Sequence, residues 1–100
     1  MNEILIREFT LFHEQWKIVE VHKIGKNDLI YGETDWRTYT IRIRADLSHE
    51  TKQLVLFHEL VHVIFANGCY KKENDNEPLV EWFAKCLSEL NSVNIFNTYK

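Results

Sequence analysis

Glycine and proline are scarce in this chain, three and one in 100 residues, and no segment is repetitive or of low complexity. So little punctuation argues for few, long elements. Cysteine is equally sparse: Cys69 and Cys86 lie 17 positions apart, a spacing that suits neither a CxxC redox pair nor the disulfide framework of a small secreted scaffold. Both are expected as reduced thiols. Positive charge is not in excess, since twelve Lys and Arg stand against fifteen Asp and Glu for a formal charge of -3. The broad cationic field that holds phosphate backbones is missing, and a nucleic-acid partner is not expected. There is also no long apolar run, and the opening MNEILIREFT carries acids where a signal peptide or membrane span would be continuous and apolar. The expectation is a cytoplasmic protein with no membrane partner.

What is present is an ordinary globular composition, 45% hydrophobic, 13% aromatic and 27% charged. A chain of this length makes one domain, 1–100, and buries enough surface for a core without staples. In the first half the residues alternate. Tyr39, Ile41, Ile43 and Ala45 interleave with Thr40, Arg42 and Arg44, the period of a strand with one face in the core. Gln15–His22 is β-branched and aromatic enough to be a partner strand, and Leu5–Phe12 suits either a strand or a short helix. Ile24–Asp28 and Gly32–Asp35 read as turns. Two or three antiparallel strands are therefore expected.

The second half changes period. Ser48 is an N-cap signal, Gly68 a C-terminal stop, and the residues between them run apolar at helical spacing. After a polar loop at Lys71–Asn76, Pro78 marks a second helix over about Glu77–Asn91, with Leu79, Phe83, Leu87 and Leu90 as its packing stripe. Strands first and helices second is the α+β layout.

Of the thirteen residues from Leu54 to Ala66, ten are apolar, and the polar three are His58, Glu59 and His62. Left unsatisfied inside a packed helix, each would cost about 1–3 kcal/mol. A metal ion accounts for all three together. His58 and His62 fall one turn apart on the same face, so that both imidazoles reach one ion, and Glu59, rotated by about 100°, stands beside it as a base for water that Zn²⁺ has acidified. A third protein ligand is still needed. Glu77 and Glu81, one turn apart at the start of the second helix, are the candidates, with Glu77 the expected ligand and Glu81 an outer acceptor for an imidazole N–H. Spacing alone also fits the exchanged assignment, or two acids that simply favour the positive end of the helix. For an oxyanion donor besides the metal, Tyr70 is put forward, with Tyr31, His22 and His13 as further candidates. Cys69, seven residues past His62, is a weak candidate ligand, and Trp16, Trp36 and Trp82 are expected as core anchors.

At these residues the sequence resembles a family. His58–His62 match the zincin HExxH signature, and Asn76-Glu77 followed by Glu81 is similar to the NExxxD arrangement of gluzincins. The closer likeness, over about residues 30–90, is to the ImmA/IrrE-type metallopeptidases and the small phage-encoded proteins related to them. There an HELxH helix is followed by an ExxAxxFA-like segment, which Glu77-Pro78-Leu79-Val80-Glu81-Trp82-Phe83-Ala84 follows, with Val80 in place of the family's alanine. The resemblance implies a minimal zincin: a zinc endopeptidase acting on a protein or peptide substrate. It also implies that an edge strand, Tyr39, Thr40, Ile41, Arg42 and Ile43 being the candidate, binds substrate as an added strand. The alternative is a catalytically weak or inactive zincin-fold protein that occupies a host or regulatory partner.

Overall fold

The computed structural model describes residues 3–26 and 28–94. The expected turn at Ile24–Asp28 is thus described except at Asn27. Four strands, β1 (Ile4–Leu11), β2 (Glu14–Val21), β3 (Gly32–Asp35) and β4 (Thr40–Arg44), precede three helices, α1 (His49–Asn67), α2 (Lys71–Asn74) and α3 (Glu77–Ser92). The fold is α+β, as expected. Among the described residues no helix is long and apolar enough to cross a membrane.

The sheet differs from expectation in number and in direction. Its order is β1-β2-β4-β3: β1 and β3 each run antiparallel to their neighbour, whereas β2 and β4 are parallel. Glycine and aspartate disfavour strands, so Gly32–Asp35 reads as a turn, yet it pairs with β4 from Gly32↔Ile43 to Asp35↔Thr40. From β2 the chain crosses to the far edge, forms β3 there, and returns to insert β4 in the middle. β1 and β2 join through Phe12 and His13, both at positive φ (53° and 68°), the sign pattern of a type I′ hairpin.

β4 is therefore an interior strand and cannot serve as the edge that accepts a substrate, because both of its sides are already paired. Its alternation holds in part. Ile41 and Ile43 are buried toward α1 with Trp16, Ile18 and Val63, but Thr40 is also fully buried, satisfied by hydrogen bonds with Thr38. Arg42 is not a solvated residue: it bridges Glu3, Glu33 and Asp35 across the back of the sheet at 3.0–3.1 Å.

Helix α1 begins where expected, with the Ser48 hydroxyl accepting from the Thr51 N–H, and ends at Asn67. Gly68 is its C-cap, as expected, though the left-handed residue is the next one, Cys69 (φ 63°). The polar loop expected before α3 contains the one-turn helix α2. In α3, Asn76 caps the N-terminus by accepting from Leu79 N–H, and the residues buried against α1 are Val80 and Ala84. The stripe through Leu79, Phe83, Leu87 and Leu90 is not that face, for Phe83 and Leu90 are 44% and 39% exposed. Small side chains at the contact let the two helices approach closely, and that brings α3's first turn within reach of the histidines. Of the tryptophans only Trp16 is a core anchor. Trp36 sits in the β3–β4 loop, and Trp82, two residues past Val80 and so about 200° around the helix, faces solvent.

Candidate metal centre

His58 and His62 project from one face of α1 toward α3, their rings 4.9 Å apart between centroids. Each imidazole is held at one nitrogen. The Nδ1 of His58 lies 2.9 Å from a Glu81 carboxylate oxygen, and the Nδ1 of His62 lies 2.6 Å from the Asn74 side-chain carbonyl oxygen. Both partners are acceptors, so each Nδ1 carries the proton and donates it, leaving each Nε2 with a lone pair.

Those two Nε2 atoms converge on Glu77, at 3.3 Å from Oε1 and from Oε2 respectively. In neutral imidazoles these lone pairs would face carboxylate oxygens, an arrangement that a cation between them, a proton or a metal ion, holds together. Two imidazole nitrogens and one carboxylate oxygen are a donor set that suits zinc. The three ligand atoms offered by His58, His62 and Glu77 all lie within 4.8 Å of one another, and among the described residues no other group of three His, Cys, Asp or Glu is gathered in this way. Cys69, His13 and His22 are not drawn in.

Glu59 points from the same helix toward the sheet's edge, where the Thr34 hydroxyl donates to its Oε1 at 2.8 Å. Thr34 belongs to β3, and β3 can come this near because Gly32 has no side chain: a Cβ there would overlap Val55 Cγ1 and approach Glu59 Cγ. His58 and Glu59 open into a cleft of about 460 Å³ walled by Leu29, Ile30 and Tyr31 ahead of β3 and by Leu54 and Val55 on α1. Arg44 fastens that wall: it donates to the Asp28 carbonyl, lies 5.2 Å above the Tyr31 ring, and pairs with Asp46 at 2.7 Å. The Tyr31 hydroxyl group thus belongs to a cleft residue, whereas the Tyr70 ring lies against Gly68 and Phe65 at the far end of α1 and is not brought to Glu59.

Asn74 and Thr34 carry no signal in the sequence. Asn74 hides in the polar KKENDN stretch, and Thr34 becomes a partner of Glu59 only through the strand that Gly32–Asp35 forms.

The chain from residue 17 to residue 87 matches the model of the M78 peptidases described as the IrrE N-terminal-like domain, a span that runs from β2 through most of α3 and leaves β1 outside. Neither curated proteins nor solved structures give a match. With more than two thirds of its length matched, and with two histidines and an acid that could hold a metal ion drawn together inside that span, the chain belongs to the IrrE N-terminal-like family of M78 peptidases.

Proposed function

We propose that the protein is a zinc-dependent endopeptidase in which His58, His62 and Glu77 hold the ion and Glu59 is the general base and acid. The observation that carries this is the convergence of both imidazole Nε2 atoms on one carboxylate while Glu81 and Asn74 fix both Nδ1 protons. When bound, Zn²⁺ supplies a Lewis acid that lowers the pKa of water from about 15.7 to about 7 and polarises the scissile carbonyl.

The rest falls to the chain. Thr34 occupies Oε1 of Glu59, which leaves Oε2 to take the proton of the attacking water and hand it to the leaving amine nitrogen. Glu81 and Asn74 keep the imidazoles in one tautomer and one orientation as the ligands of the ion. β3, the edge beside α1, is the strand along which a peptide substrate pairs, its outer N–H and C=O groups supplying affinity and the neighbouring cleft taking a side chain.

Glu59→Gln is the test: the variant retains one zinc per chain and loses cleavage of a denatured-protein or peptide mixture. Turnover that survives the substitution overturns the mechanism. Zinc absent from the wild type, or retained undiminished by both His58→Ala and Glu77→Ala, overturns the ligand set. One observation favours a second reading, a binding protein that holds a regulatory partner without cutting it: Glu77 is 62% exposed in its side chain, so the centre is only shallowly walled. A partner captured in equal amounts and intact by wild type and by Glu59→Gln supports that reading; fragments that appear only with Glu59 present sink it.

A further inference from the structure

On the sheet-facing side of α1, toward its C-terminal end, lies a second cavity, of about 310 Å³, that no histidine lines. Four aromatic residues line it: Phe12 from the β1–β2 turn, Trp16 from β2, and Trp36 and Tyr39 from the β3–β4 loop. Val63 and Ala66 of α1 close its floor, and Glu14 stands at its side. Val63 follows His62 directly but is turned about 100° around the helix, buried against the sheet while His62 faces α2 and α3, so the cavity and the metal centre lie on different faces of α1.

The rings form walls at right angles. Trp16 makes an edge contact with Trp36 at 5.2 Å and 82°, and with Tyr39 at 5.2 Å and 77°. Trp16 is 2% exposed, but Phe12 and Trp36 each keep 46% of their surface open, so aromatic surface is left at the mouth. The backbone that presents this surface is unusual. Phe12, His13 and Tyr39 all adopt positive φ, which bulky side chains rarely do, and two of the three place their rings in the cavity. The only charge among the lining residues is negative. Glu14 has no ion-pair partner among the described residues, and Arg37, next to Trp36 in the β3–β4 loop, lies 3.9 Å from Asp35.

Aromatic faces are electron-rich, and a carboxylate beside them adds to the attraction for a cation. A planar guanidinium stacks on a ring and at the same time donates N–H groups to a carboxylate, which a point-charge ammonium does less well. We propose that this cavity binds an arginine side chain of a partner polypeptide. Trp36 and Phe12 sandwich or flank the guanidinium, and Glu14 accepts its hydrogen bonds.

The test uses the full chain and two probes, N-acetyl-arginine methylamide and its neutral isostere N-acetyl-citrulline methylamide, followed by amide and indole N–H shifts in NMR spectra. The arginine probe gives saturable shifts at Phe12, Glu14, Trp36 and Tyr39 and binds about tenfold more tightly than citrulline. Glu14→Gln brings the arginine affinity down to that of citrulline while leaving the rest of the spectrum in place. Trp36→Leu, which keeps an apolar side chain but removes the ring, weakens the arginine probe as well. Equal affinities for the two probes, shifts confined to the His58 and Glu81 region, or no saturable shift at the highest soluble concentration would each overturn the proposal.

Discussion

Helix α1 has two faces that do opposite things. Toward the sheet it presents Val55, Leu56, Leu60 and Val63 to a dry cluster built on Trp16, Ile18, Ile41 and Ile43. Toward α2 and α3 it presents two histidines whose partners are an amide and two carboxylates. One face gains free energy by leaving water; the other has polar groups held at half-burial and oriented by Asn74 and Glu81. Stability and chemistry are thus divided between the two sides of one helix, and each side should respond to its own perturbation alone.

The largest effect is expected on the dry face. Trp16→Ala removes a fully buried ring that touches Trp36 and Tyr39, and should cost about 3–5 kcal/mol of unfolding free energy. Denaturant unfolding with and without zinc checks it. The loss should be the same in both conditions, and a loss that zinc cures would break the division.

Next comes the wet face. With zinc at about a hundred times its dissociation constant, the wild type should gain about 2.7 kcal/mol over the chelator-treated protein. His58→Ala and Glu77→Ala should abolish that gain while changing metal-free stability by about 1 kcal/mol, since each removes only part-exposed polar contacts. Thermal unfolding in zinc and in chelator measures both quantities. If His58→Ala destabilised the metal-free protein as severely as Trp16→Ala, the wet face would be part of the core after all.

Much of this division is legible in the sequence, because it is written locally. Ser48 and Pro78 mark helix starts through groups within three residues of them, and an interval of four fixes His58 and His62 on one face whatever surrounds the helix. What escapes is what tertiary contact decides. Gly32–Asp35 has turn composition and becomes a strand only because β4 lies beside it, and with that strand come the true sheet edge and the Thr34 bond to Glu59. In α3 the leucine and phenylalanine stripe is the more hydrophobic face, yet Val80 and Ala84 meet α1, since close approach there favours small side chains over large ones.

Gly32 joins the two faces, so its substitution sharpens the comparison. Gly32→Ala pushes a methyl group into Val55 on the dry side and narrows the gap to Glu59 on the other. Overpacking of this kind should cost about 1–3 kcal/mol. Zinc content should stay at one per chain, because no ligand moves with β3; a variant that lost zinc would show the centre to depend on the edge strand.

The smallest effect belongs to the back of the sheet, away from both faces of α1. The hydrogen bond from the Arg42 guanidinium holds the Asp35 carboxyl below its ordinary value of 3.8, with the Arg37 N–H and Thr38 assisting. A carboxylate whose pKa is lowered by folding adds stability that is complete above the unfolded value and disappears as pH falls through the folded one. Wild type should therefore lose melting temperature more steeply than Asp35→Asn on acidification from pH 5 to pH 3, with the two curves parallel above pH 5. Asp35 also anchors the β3–β4 loop through Arg37 N–H, so an offset between the curves at neutral pH measures that neutral contact, and only their divergence below about pH 4 reports the ion pair. Curves that stay parallel through the acid range would mean that Glu3 and Glu33 hold Arg42 equally well without Asp35.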